Sequence, residues 1–120
     1  AGPVLDRGRH GERLAERHLR RRGWTVLARG WRGGGGEIDL VAARGRVLAL
    51  CEVKARSRPE ALAEPVTARQ RARIARAASA WLARRPPPPG TEVRLDLVTV
   101  LVGDGRPVVR HLPGALGDGG

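Results

Sequence analysis

Glu37-Ile38-Asp39-Leu40-Val41-Ala42-Ala43, then Arg44-Gly45, then Arg46-Val47-Leu48-Ala49-Leu50-Cys51-Glu52-Val53-Lys54 is the stretch that decides the fold. It reads as strand, tight turn and strand. Both runs are aliphatic, and the two residues between them end in Gly, so the strands form an antiparallel hairpin. Strand alternation puts Glu52 and Lys54 on one face and Val47, Ala49, Cys51 and Val53 on the other. Asp39 lies on the partner strand, with Glu37 on its side of that strand. Asp39, Glu52 and Lys54 can therefore converge on one side of the hairpin. Charged residues set into strands this apolar call for a reason beyond solubility.

Outward from the hairpin, residues 5–22 are expected to be a helix. Leu14, Ala15 and Leu19 form its apolar stripe, and Gly23 is its stop. Residues 24–28 read as a strand, and Gly33 to Gly36 as a loop. After the hairpin, 55–65 reads as a mobile loop. Residues 67–85 read as a second helix, opened by Thr67-Ala68-Arg69-Gln70 as a capping box, with Ile74, Ala78, Trp81 and Leu82 buried. The proline run 86–89 ends it. Residues 92–102 read as a strongly apolar strand, 107–112 as an edge strand, and the glycine-rich tail from 114 as frayed. The expected fold is therefore α/β, a central mixed sheet flanked by helices in the order αβββαββ. It forms one domain over 1–113, with a flexible tail at 114–120.

At 120 residues the chain is long enough for one domain with a real core. The longest apolar runs are too short to span a bilayer, no signal peptide is visible, and a cytoplasmic protein without membrane contact is expected. A single Cys excludes an intramolecular disulfide and a Cys-based zinc site. Cys51 reads as a small buried residue, and His10, His18 and His111 lack metal-ligand spacing.

The formal charge of +11 predicts attraction to polyanions, nucleic acid first among them. The basic residues are Arg with one exception, and Phe, Tyr and Met are absent, a pattern of GC-rich coding. That bias explains Arg in place of Lys, but not the excess of bases over acids. It also sharpens the meaning of Lys54. Arg is a permanently charged fork, whereas Lys is a compact charge that can lose its proton. Where Arg has replaced nearly every Lys, the remaining one marks a place that needs an ammonium.

Two neighbouring carboxylates are hard oxygen ligands suited to Mg²⁺ or Mn²⁺, and an ammonium beside them suits phosphate chemistry. The alternative is an exposed Glu–Lys pair with an Asp near a turn. Arg69, Arg73 and Arg76 form a basic stripe on the second helix, able either to follow phosphates or to be a solvated face. Trp31, beside the glycine run, is the candidate for stacking on a base, while Trp24 and Trp81 read as core. Asp96 reads as a buried carboxylate answering a local donor.

Gly11-Glu12, Ala15, Leu19, Gly23-Trp24, then Gly36-Glu37-Ile38-Asp39-Leu40, then Glu52-Val53-Lys54-Ala55-Arg56-Ser57 together resemble the YraN-type family of small bacterial proteins. That family belongs to the restriction-endonuclease-like superfamily and is distantly similar to archaeal Holliday junction resolvases. The resemblance covers about residues 8–100. It implies a PD-(D/E)xK nuclease core with Mg²⁺ or Mn²⁺ held by Asp39 and Glu52, and with Lys54 as the catalytic lysine. It also implies that Glu12 is an acid brought to the site by the first helix and that Glu37 supports Asp39. Arg32, Arg56, Arg69, Arg73, Arg76 and Trp31 would contact DNA, in branched or otherwise structured form, and a homodimer would supply two active sites. The alternative function is a non-catalytic DNA-binding or recombination accessory module on the same fold. The chain departs from the family pattern in three places. Gly33 to Gly35 replace an aromatic and basic stretch, Ala55 stands where Thr is usual, and Gln70-Arg71 stands where Lys-Gln is usual.

Overall fold

The structure, a computed structural model, describes residues 7–117. In chain order the elements are α1 (Arg7–Arg21), β1 (Thr25–Gly33), β2 (Gly36–Arg44), β3 (Val47–Arg56), α2 (Pro59–Leu62), α3 (Ala68–Arg84), β4 (Glu92–Leu101) and β5 (Val108–Leu112). The expected αβββαββ order holds, with the four-residue α2 added inside the loop expected at 55–65. The start of the first helix, expected at residue 5, lies outside the described residues.

The strands form one sheet in the order β1-β2-β3-β4-β5. β3 and β4 run parallel, and every other neighbouring pair is antiparallel. A parallel pair needs a long crossover, and the segment carrying α2 and α3 supplies it. The pairing with β4 also carries β3 two residues past its expected end, to Arg56 opposite Leu101.

The sheet separates two cores. Ala15 and Leu19 of α1 pack on Leu40, Ala42, Ala49, Cys51, Val98 and Val100. Ile74, Ala77, Ala78 and Trp81 of α3 pack on Ile38, Val41, Leu48, Leu50 and Leu97. The helical and strand periodicities of the sequence thus meet face to face, each large buried aliphatic contributing roughly 1.5–3 kcal/mol. The helix ends follow their local signals. Gly23, at φ +86°, lets the Trp24 N–H return to the Leu19 carbonyl at 3.1 Å. Thr67 and Gln70 exchange the two hydrogen bonds of a capping box, at 3.1 and 2.8 Å.

Two expectations are corrected. The glycine run is not a four-residue loop. Gly33 pairs with Gly36, so the turn is only Gly34-Gly35, both at positive φ, and β1 runs on through Trp31 to meet it. Strand pairing uses backbone alone, so residues without side chains do not prevent it. The bare backbone also lets this hairpin tip lie against α3. A Cβ on Gly36 would overlap the Arg73 carbonyl oxygen, and one on Gly34 would sit 2.6 Å from that of Arg76. Gly36→Ala should therefore lower stability by about 1–3 kcal/mol through overpacking. Gly105→Ala, which adds a Cβ to open space, should stay within about 0.5 kcal/mol of the parent. Urea unfolding midpoints compare the two, and equal midpoints would mean that the tip is not clamped.

The second correction is the tail. Packed structure continues past residue 113. Leu116 is buried in the α3-side core, and its N–H donates to the Leu95 carbonyl at 3.2 Å. The remainder of the expected tail, 118–120, lies outside the described residues. Among the described residues, no helix is long and apolar enough to cross a membrane.

Candidate functional site

The β2–β3 ladder ends at Leu40 opposite Cys51. Beyond that pair the strands part, and Asp39 and Glu52 stand at the mouth of the fork. Asp39 partly closes it, because its Oδ2 accepts the Val53 N–H at 2.7 Å. From the α1 side Gly11 packs tightly on β3, where a Cβ would come within 2.5 Å of the Ala55 Cβ. That contact sets the next residue, Glu12, beside Asp39. Glu37 stands on the α3 side, 3.8 Å from Arg32 and 3.9 Å from Arg73.

Four carboxylates thus share one end of the sheet, and their electrostatics record it. Burial pushes the Asp39 carboxyl above its usual range and the Glu37 charge adds to this, against the Val53 N–H, Glu12 and Arg73. Burial, then the Asp39 charge, pushes Glu52 up to about 7, with Glu37 and Glu12 adding to it and Arg73 opposing. A divalent cation between such groups would relieve their mutual repulsion. Asp39 and Glu52 are the hard, anionic oxygen donors that Mg²⁺ or Mn²⁺ takes from proteins, the rest of its shell being water and substrate phosphate. Among the described residues, no three or more acidic, His or Cys side chains converge into a ready-made cage.

Lys54 is buried and shares the Glu52 side of β3. Its Nζ donates to the backbone carbonyls of Leu62, at 3.3 Å, and Glu64. The lysine therefore ties the α2 segment to the sheet, a partnership that strand alternation alone could not reveal. Glu52, Lys54, Arg56 and Gln70 nevertheless line one small cavity of ≈120 Å³, closed by Val53, Val66 and Leu97. Gln70 is present there through its capping role.

The other expected contacts fall in two groups. Arg32, Arg73 and Glu37 line a second concavity of ≈320 Å³ floored by Gly33, Gly35 and Gly36. Arg69 and Arg76 are exposed on α3. Arg76 donates to the Gly35 carbonyl over 3.5 Å, and Arg56 turns back to the Ala55 carbonyl at 2.8 Å. Trp31 is half-buried. Its ring meets that of Trp81 edge-on at 5.4 Å, and the Arg84 guanidinium lies 5.5 Å from its centre, so it serves the α3-side core. Trp24, Trp81 and Cys51 are core, as expected, and Asp96 is fully buried among local donors.

Residues 11–100 match the family described as Uncharacterised protein family UPF0102. A UPF0102 protein of Methylorubrum extorquens is 48% identical over 109 residues, 91% of this chain and 83% of its own. One of Frankia alni is 48% identical over 111 residues, covering 90% and 92%, and one of Kineococcus radiotolerans 44% over 110 residues, covering 89% and 90%. The chain belongs to the UPF0102 family, the YraN-type family that its Gly36–Leu40 and Glu52–Ser57 blocks resemble.

Proposed function

We propose that this chain is a metal-dependent DNA endonuclease acting on branched or otherwise structured DNA. The carrying observation is the strand fork, where the Asp39 carboxylate accepts the Val53 N–H beside Glu52, its charge adds to burial in raising the Glu52 carboxyl, and Glu52 stands two residues from the chain's only lysine. Carboxylates that repel across a short gap form a cation site in waiting, and the motif resemblance to PD-(D/E)xK nucleases names the same residues. Mg²⁺ or Mn²⁺ held by Asp39 and Glu52 would neutralise charge on the scissile phosphate and on the departing 3′-oxygen. In the hydrolysis, a water oxygen bonds to phosphorus as the bond to the 3′-oxygen breaks. Lys54 exchanges its Leu62 and Glu64 carbonyls for the phosphate or the attacking water. Glu12 and Glu37 shape the field at Asp39. Arg32 and Arg73 hold phosphate at the glycine hairpin, and Arg69 and Arg76 extend that contact along α3. Paired cuts in a symmetric substrate would take two copies of the chain.

The attachment of Lys54 to backbone carbonyls favours a second reading, in which the lysine is structural and the chain is a non-catalytic DNA-binding or recombination accessory module. A cleavage panel separates the two: single-stranded, duplex, flap and four-way DNA, with Mg²⁺, Mn²⁺ or chelator. The wild type should cut at least one substrate in a metal-dependent manner. Lys54→Arg keeps the charge but replaces the compact ammonium with a fork. It should cut roughly 10²-fold more slowly with DNA affinity nearly unchanged, the scale of losing one preorganised donor. Equal cutting by both, or cutting by neither with Mn²⁺ present, selects the accessory reading.

A further inference from the structure

We infer that the outward face of α1 is a docking surface for the phosphate backbone of duplex DNA, separate from the α3 stripe. Arg9, Arg13, Arg17 and Arg21 recur every fourth residue, along about 18 Å of helix. The buried side of α1 is Gly11, Ala15 and Leu19, so this row turns away from the sheet into solvent. Its neighbours are like charges, which repel at that spacing and weaken an isolated helix.

Among the described residues, no carboxylate pairs with Arg13, Arg17 or Arg21 to offset this repulsion. Glu16 flanks the row and is already engaged. It accepts from Arg29 at 2.5 and 2.6 Å and from Arg20 at 2.8 Å. Among the described residues, Arg13, Arg17 and Arg21 lie within salt-bridge distance of no acid. A concavity runs along each side of the row. The one toward β1, of ≈590 Å³, is lined by Glu16 and otherwise by arginines, with Arg13, Arg17 and Arg29 among them. The one toward β5, of ≈330 Å³, includes Arg17, Arg21 and Arg106. The helix is thus a cationic ridge between two arginine-lined grooves.

The chemistry of the face selects the partner. A membrane-surface helix offers an apolar side to lipid, and here that side is inside the protein. A stable protein interface has an apolar or aromatic centre, which the row Arg9–Arg13–Arg17–Arg21 does not supply. A dense line of phosphates needs neither. Duplex DNA presents one charge per about 1.7 Å of its axis, on the order of ten along this ridge. Arginine forks pair with phosphate in two-pronged fashion, and the grooves give them room to turn toward it. The α1 face lies across the sheet from α3, whose arginines accompany the candidate site. It is therefore a second contact, whose affinity does not require the carboxylates to bind metal or cut.

The test is binding of a 20-base-pair DNA duplex in chelator, so that no cutting intervenes, across about 50–300 mM salt. The combined variant Arg13→Gln, Arg17→Gln, Arg21→Gln should bind at least about tenfold more weakly at 100 mM salt. The slope of log affinity against log salt should flatten by about 2–3, since each lost phosphate contact removes about 0.9. The corresponding Arg→Lys triple should keep the wild-type slope, and thermal melting should show both triples folded. Combining the Gln triple with Arg69→Gln, Arg73→Gln and Arg76→Gln should flatten the slope further. A Gln triple whose affinity and slope match the wild type overturns the proposal. That result would leave metal-dependent cleavage in the substrate panel intact, whereas failure of the nuclease reading would leave this salt slope intact.

Discussion

Glu52→Gln should abolish metal-dependent cutting and, above pH 7, make the metal-free protein more stable than the wild type. The two effects share one cause. Burial and the Asp39 charge raise the Glu52 carboxyl to about 7 in the folded chain, whereas an unfolded Glu titrates near its ordinary value. A carboxyl whose folded value is raised contributes stability in full below its unfolded value. It loses that contribution as pH rises through the folded value. The wild type should therefore lose stability between about pH 4.5 and 7 relative to the Gln variant, which has no charge to bury. After allowance for solvent screening of a half-buried group, the difference at pH 8 should be on the order of 1–2 kcal/mol. Adding Mg²⁺ or Mn²⁺ at pH 8 should close the gap by stabilising the wild type alone, because a ligand bound only by the folded state raises its stability. Thermal melting of both proteins from pH 4 to 8.5, with and without metal, reads all of this. Parallel profiles for the two would show that Glu52 does not feel the Asp39 charge and that the fork is not a cation site.

That site was legible because it depends on two short-range rules. A two-residue turn, Gly45-Arg46 in the structure where Arg44-Gly45 was expected, fixes how residues 37–43 face 46–54, and period-two alternation decides which side chains share a side. Asp39 and Glu52 therefore come near each other through the hairpin itself, near enough for the Asp39 charge to act on Glu52. The surroundings of Lys54 depend on where the chain returns after Arg56, and its carbonyl partners lie eight and ten residues on, in a segment with no periodicity. Glycine was read in the opposite sense to its use. A run such as Gly33 to Gly36 signals a loop when side-chain packing is the criterion, yet here missing side chains are what let a paired hairpin press against α3. Trp31 reads as standing beside a loop, whereas the strand sets its half-buried ring against Trp81 at the edge of the α3-side core. The basic row on α1, from Arg9 to Arg21, emerges only once the helix has a known buried side.

Asp96→Ala should be among the most damaging single changes in the domain, costing about 3–5 kcal/mol. Asp96 is fully buried on β4 and accepts from three residues. Arg94 donates through Nε at 3.2 Å and Nη2 at 3.0 Å, His111 on β5 through Nε2 at 2.7 Å, and the Gly114 backbone N–H at 2.8 Å. Because a carboxylate only accepts, the His111 proton facing it must sit on Nε2. This network closes the C-terminal end of the fold. It draws β5 and the following turn against β4, and so lets Leu116 enter the α3-side core. It also steadies Trp24, which His111 meets edge-on at 5.6 Å and over which Arg94 lies at 5.6 Å. Removing the carboxylate leaves three donors in the interior, two of them on cationic or aromatic side chains already packed. Asp96→Asn keeps one acceptor oxygen for Gly114 and should lose less, about 2 kcal/mol. Burial by itself would raise the Asp96 carboxyl. The bonds from His111, Arg94 and Gly114 outweigh burial and hold it below the ordinary carboxylate range. A depressed carboxylate stabilises in full above its unfolded value and loses that contribution as pH falls through the folded one. The gap between wild type and Asp96→Asn should therefore narrow as pH falls below about 4. Urea midpoints measured from pH 7 down to pH 3 decide it. A gap that closes well above pH 4 would mean that the charge on Asp96 is not what its three donors hold.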